Sequence, residues 1–352
     1  MKNFRQVLTS LAILLVCISS ATAQEIFEQE SNLFSTRELK TRVPAPSGAK
    51  ILIKSALTLR GELRISTSTD PNVSVVYTKK ARTKSKSTAI DYIDQIAINL
   101  SKMSGGARLE LRAPNPAPWG ETEVGLIEAV VIVPEFCQVE VEAAYFDIQA
   151  DGPFESFKVP SSMGRLNVAY VTEELQLITA NRRVNVENIS GKIKVATTNS
   201  ELMARNIRGT NGQASFRNEN GDISILGISG EINVKNSYGR IEIDQFEATG
   251  DNSFVNGQYG PVEIFVSKIG DARLSLTNRY EDIELSVPSN VSAFLALVVE
   301  EDGKIEVSNF SFKADLVQKN RLSLVAGDGK ASITGSVRGK GNLYVRGYQP
   351  ED

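Results

Sequence analysis

Between about Val184 and Leu285 apolar and polar residues alternate in short runs, each closed by a turn containing Asn, Ser or Gly and reopened by a charged residue. The clearest copies are Ser190-Gly191-Lys192-Ile193-Lys194-Val195, Asn220-Gly221-Asp222-Ile223-Ser224-Ile225, Ser229-Gly230-Glu231-Ile232-Asn233-Val234 and Tyr238-Gly239-Arg240-Ile241-Glu242-Ile243. Strand openings at Val184, Ile193, Leu202, Ala214, Ile223, Ile232, Ile241, Ser253 and Val262 fall 9, 9, 12, 9, 9, 9, 12 and 9 residues apart. Alternation with period two is the signature of a half-buried strand, because successive side chains leave a strand on opposite faces. The pattern therefore sends Ile193, Val195, Ile223, Ile225, Ile232, Val234, Ile241 and Ile243 inward. A repeat this short cannot bury its own apolar side, so neighbouring copies must stack to make a core. The expected fold is all-β, a single-domain β-solenoid (β-helix-like) built of short stacked strands.

The flanks fit the same class. Strands are expected at Lys50 to Ile53, Leu57 to Ile65 and Val73 to Tyr77, with turns at Arg60-Gly61-Glu62 and Thr69 to Asn72. Ala89 to Leu100 reads as either a short amphipathic helix or a strand. Pro114 to Gly120 reads as an extended loop, since proline removes ladder donors. Closing strands are expected at Leu322 to Val325, Ala331 to Ile333 and Asn342 to Val345. This divides the chain into a signal peptide (1–23), a polar leader (24–47) and a solenoid domain (48–352). Within that domain 48–125 supply N-terminal capping strands, 126–310 the repeat region and 311–352 the C-terminal closing strands. Asparagine is dense at the expected corners, where it tolerates left-handed backbone angles. Stacked Asn side chains could hydrogen-bond from coil to coil.

The N-terminus changes the picture of where the protein works. Met1 to Arg5 is basic, an apolar run covers Leu8 to Ile18, and Ala21-Thr22-Ala23 is an A-x-A site placing cleavage before Gln24. Export to the periplasm, cell surface or medium is expected. Cys17 lies within this segment, and Val16 before it fits a lipidation signal poorly. No later stretch approaches the apolar length of a membrane-spanning helix, so no transmembrane helix is expected. After cleavage the chain carries a net charge of −5, which argues against nucleic acid as a partner. Cys137 is then a lone cysteine and cannot staple the fold; it reads as a small buried apolar residue.

In its sequence of parts the chain resembles the bacterial "putative adhesin" domains of unknown function. Those parts are the early hairpin Leu57 to Tyr77 and the step Ala129 to Pro134. The repeated Gly-charged-Ile turns follow, then the step Asp282 to Pro288 and the glycine-rich closing strands after Ala326. The resemblance implies a β-solenoid in an exported protein, a loose link to surface adhesion, and no catalytic or metal-binding residue to carry over. Some members look like extracytoplasmic parts of envelope-stress systems, but this chain has no membrane helix or cytoplasmic segment to match them.

Candidate chemistry is sparse. The chain has no histidine, which removes the usual triads, most zinc sites and the commonest base near neutral pH. No phosphate-binding loop, dinucleotide fingerprint or calcium nonapeptide is present, so no catalytic residue, metal or cofactor is expected. Carboxylates such as Asp222, Glu231, Glu242, Glu263 and Glu284 recur one per repeat at outward positions. That pattern describes a solvated face better than the paired acids of a glycosidase. Two features remain as candidate ligand-binding residues. Lys79, Lys80, Arg82, Lys84 and Lys86 form a dense basic run that either docks on anionic glycan or is a solvated hairpin loop. Trp119 either stacks on a sugar ring or plugs the edge between its loop and the core. The reading is an exported, non-catalytic structural or adhesion-type binding module of the cell envelope, with an envelope glycan or protein as partner. The alternatives are a periplasmic sensing or regulatory module and a polysaccharide-degrading β-helix enzyme.

Overall fold

The computed structural model describes residues 25–210 and 212–350; the expected signal peptide, with Cys17, lies outside them. The repeat region folds as its alternation requires. Leu202, Ala214, Ile223, Ile232, Ile241, Ser253 and Val262 each begin a strand, while Val184 and Ile193 share one continuous strand, Val184–Ala196. The eight residues expected to point inward are each at most 1% exposed. Coil stacks on coil in parallel: Val184 pairs with Leu202, Leu202 with Ile223, Ile223 with Ile241, Ile241 with Val262 and Val262 with Ile283. Stacked partners lie 18 or 21 residues apart. One coil therefore holds two of the short repeats seen in the sequence.

Corners are made by single residues in left-handed conformation. Tyr170, Asn188, Asn206, Gly227 and Gln245 have φ of 57°, 55°, 53°, 72° and 55° and lie one above another. At this column the alternation slips by one: in Ile223–Gly230, Leu226 is exposed and Ile228 buried on either side of Gly227. The same core thus receives side chains from two differently directed segments. The expected amide ladders form at the corners. Asn199 donates to Asn181 (2.5 Å), Asn220 to Asn199 (2.8 Å) and Asn206 to Asn188 (3.0 Å), and within the stacked strands Asn185 donates to Asn167 (2.7 Å). A second set is buried. The Nδ2 groups of Asn218, Asn236 and Asn278 each donate to two backbone carbonyls of nearby turns. Buried carbonyls left without donors would cost more than these bonds contribute.

At both ends spatial order departs from chain order. Lys50–Ser55 lies between Gly106–Arg112 and Gln138–Glu142, and Arg60–Ser68 lies between Val124–Pro134 and Phe146–Ser162. At the far end Ala331–Val337 is interposed between Arg273–Asn278 and Ala293–Val299. Antiparallel strands then finish the stack: Asn72–Arg82 on Val124–Pro134 at one end, Arg321–Ala326 on Ala293–Val299 at the other. An open solenoid end is a row of unpaired ladder groups that invites another chain, and these strands cover it.

The structure departs from the sequence expectations in several places. The polar leader expected at 24–47 is not loose over its described residues 25–47: Ile26–Glu30, Leu33–Thr36 and Leu39–Pro44 are strands, and Ile26, Leu33 and Phe34 are buried. Three apolar anchors suffice because Asn72–Arg82 offers both donors and a covered face. Arg60-Gly61-Glu62 is not a turn but opens the strand Arg60–Ser68; a Cβ on Gly61 would stand 1.8 Å from the Ile127 carbonyl oxygen. Solenoid coils also start earlier than residue 126, with Lys50–Ser55 and Arg60–Ser68 already stacked among them. Both readings of Ala89 to Leu100 apply in part: a helix at Lys86–Asp94, capped by Ser85 Oγ accepting from Thr88 N (3.3 Å), then a strand at Ala97–Met103.

Candidate binding surface

The basic run does not form a solvated loop. Lys79, Lys80 and Arg82 lie in the strand Asn72–Arg82, and the first two are buried. Lys79 Nζ donates to the carbonyls of Ile93 (3.1 Å) and Ile96 (3.2 Å), closing the C-terminal end of the helix. Burial pushes its pKa below the usual lysine value, partly offset by Asp94. Lys80 Nζ sits 2.6 Å from Glu128 Oε1. Both faces of the strand are covered at this point: Lys79, Lys80 and Ala81 are consecutive and all buried, although neighbouring side chains leave a strand on opposite sides. Arg82, Lys84 and Lys86 remain exposed.

Trp119 is half-buried and packed on the core edge. Its ring covers Gly125, where a Cβ would come within 2.6 Å of it, and meets Tyr92 edge-on at 5.9 Å and 72°. The loop is clasped by Glu123, whose Oε1 accepts from Thr83 Oγ1 (2.5 Å) and whose Oε2 accepts from the Tyr92 hydroxyl (2.6 Å). The Thr83 bond first, then Tyr92, holds the Glu123 carboxyl below its ordinary range; the same contact raises the Tyr92 phenol. Trp119 and the basic run thus meet in one structural clasp at the N-terminal end. Cys137 is buried, and burial pushes its thiol up to about 11, which leaves it inert.

The most prominent exposed feature involves neither the basic run nor Trp119. Tyr238, Tyr259 and Tyr280 occupy one corner column in three successive coils. Their rings stack with centroids 4.9 and 4.8 Å apart and planes within 8° and 17°. The column continues the ladder Asn181, Asn199, Asn220, so a corner of stacked amides becomes a corner of stacked phenols. Tyr238 is 62% exposed, and the Arg279 guanidinium covers Tyr280 at 5.1 Å. Among the described residues none of the three phenol oxygens has a hydrogen-bond partner in the protein. The signal was in the sequence: Tyr238-Gly239-Arg240-Ile241, Tyr259-Gly260-Pro261-Val262 and Tyr280-Glu281-Asp282-Ile283 recur at 21 residues. It becomes visible only when the coil length is known to be two short repeats.

Beside this column runs a shallow groove of about 590 Å³, lined by Tyr238, Tyr259, Glu201, Asp222, Arg240 and Glu242. It continues past Glu242 along Glu263 and Glu284, which stack in one outward column. Like charges directly opposite on neighbouring strands repel. Arg240 approaches Glu263 and Arg346 approaches Glu284, each at 3.7 Å, and relieves part of that repulsion. Asp222 accepts from the Arg240 backbone N–H at 2.9 Å, and Glu242 makes no ion pair among the described residues. The acids lie on one open wall, one per coil. No group of three or more His, Cys, Asp or Glu side chains placed to hold a metal occurs among the described residues.

The family model for Toastrack DUF4097 matches residues 51–338. A solved "putative cell adhesion protein" from Clostridium sporogenes aligns with 9% identity and a TM-score of 0.20, over 89% of this chain and 100% of that one. A solved "putative adhesin" from Bacteroides fragilis aligns with 10% identity and a TM-score of 0.21, over 88% and 97%. No curated protein matches the chain.

Proposed function

The chain belongs to the Toastrack DUF4097 family, and on that footing we propose that it is an exported, non-catalytic, adhesion-type binding module that holds an extended glycan. One observation carries the reading: three exposed tyrosines with unengaged hydroxyls stacked at a solenoid corner beside a polar groove. A hydroxyl-rich polymer is the chemical complement of that surface. It can accept from the phenols and donate to Glu201, Asp222 and Glu242, while the ring edges cover its apolar faces. The coil spacing offers the same contacts again every strand width, about 4.8 Å, which suits a partner that itself repeats.

Three further observations support a role without catalysis. The carboxylates stand in a row on one open face and are partly neutralised by arginines, rather than facing one another across a cleft. The sole cysteine among the described residues is inert, and the chain lacks histidine. Export rests on the basic, apolar and A-x-A pattern of residues 1–23. Among the described residues no helix is long and apolar enough to cross a membrane. A glycan array probed with the purified protein tests the proposal. Binding to at least one extended glycan is expected; an array blank at high protein concentration, with the protein folded, contradicts it.

A further inference from the structure

On the other side of the tyrosine column lies a separate concavity of about 270 Å³, bordered by Asn256, Gly257, Gln258, Thr277, Arg279 and Arg338. Gly257 stands in the column where the neighbouring coils place the buried Asn236 and Asn278, and Val262 and Asn278 already fill the place a side chain would take there. Arg279 and Arg338 follow Asn278 and Val337, which are paired across adjacent strands, so the two arginines are stacked neighbours. The Arg338 backbone N–H donates to the Asn278 carbonyl at 3.0 Å, which fixes that register. Arg183, Arg217, Arg240 and Arg346 on this solenoid each have a carboxylate partner. Arg279 and Arg338 have none among the described residues, and Glu300, next along their column, makes no ion pair with either.

Two guanidinium groups on adjacent strands repel unless an anion lies between them. Guanidinium is also the side chain whose planar fork matches a carboxylate or phosphate with two parallel hydrogen bonds. The amides of Asn256 and Gln258 and the Thr277 hydroxyl add neutral donors around the same space. We propose that this concavity is an oxyanion site, taking a carboxylate or phosphate group borne by an acidic glycan. Arg279 has a second role there: its stacking on Tyr280 holds the guanidinium plane at the rim of the pocket. The site is independent of the groove beside Tyr238, which requires no charge on its ligand.

The test is calorimetric titration of the full protein with tri-galacturonate, with inorganic phosphate and with neutral maltotriose, at low and at physiological salt. Tri-galacturonate or phosphate is expected to bind wild type, more weakly as salt rises, and the arm that binds identifies the source of the oxyanion. The double variant Arg279→Gln/Arg338→Gln should lose about tenfold or more in affinity for that probe, with its melting temperature unchanged, because both side chains are exposed. Amide hydrogen exchange on wild type should slow at residues 256–258 and 277–279 when the same probe is added. Absence of binding by both anions, equal affinity of wild type and double variant, or protection confined to other coils would overturn the proposal. Maltotriose binding that survives the double variant while the anion is lost separates this site from the tyrosine groove.

Discussion

At the scale of single residues the structure rests on a strict division between inward and outward positions. Ile232 is fully buried in the middle of the stack, so Ile232→Asp places a carboxylate where no partner exists. The expected loss is about 4 kcal/mol, read as a shift in urea midpoint; an unchanged midpoint would refute the register. The Glu123 clasp gives a pH signature. Its carboxyl is held below the usual 4.5 by Thr83 and Tyr92, so its contribution is complete above that value and lost as pH falls through the lowered one. Tyr92 is raised above 10.0, chiefly by its bond to Glu123, so its contribution is complete below 10.0 and lost as pH rises through the raised value. The fluorescence of Trp119, the only tryptophan, should therefore be flat between these limits and change beyond both. Glu123→Gln should abolish the acid change, and an acid transition unaltered in that variant would place its origin elsewhere.

At the scale of elements the corners carry the argument. Asn206 has φ 53° and donates to Asn188, so Asn206→Ala loses a ladder bond and strains the backbone, at a cost of about 2 kcal/mol. Asn206→Gly keeps the backbone free and should cost about 1 kcal/mol. Equal melting temperatures for the two variants would show that the left-handed angle is not what the asparagine supplies. Much of this level was legible in the chain: the strand openings, the inward residues and the amide ladders all follow from alternation and from Asn at the turns. What alternation does not carry is long-range order. Nothing local in Lys50–Ser55 says that it is interposed between Gly106–Arg112 and Gln138–Glu142, because the partners are remote in sequence. The strands at 26–44 escaped for a related reason: their few apolar anchors become meaningful only against Asn72–Arg82. The candidate residues fared likewise. Lys79 and Lys80 look like a surface patch when counted as charges, yet remote partners cover both faces of their strand, Ile93 and Ile96 receiving Lys79 and Glu128 receiving Lys80. The tyrosine column needs the coil length before its spacing of 21 residues means proximity.

At the scale of the whole molecule the protein is a rod of stacked coils closed at both ends by antiparallel strands, with its distinctive chemistry gathered along one corner of the C-terminal half. A solenoid of this kind presents the same surface repeatedly along its axis, and that surface suits holding a polymer better than turning over a small substrate. The measurement that bears most directly on this is retention of the protein on immobilised glycan, comparing wild type with Tyr238→Ser/Tyr259→Ser/Tyr280→Ser and with a control, Tyr170→Ser. Tyr170 is an equally accessible corner tyrosine, 50% exposed, outside the stack. The account predicts that the triple variant stays folded by circular dichroism and loses at least about tenfold in affinity, roughly 1.4 kcal/mol, while the control binds as wild type does. Full retention by a folded triple variant would contradict it.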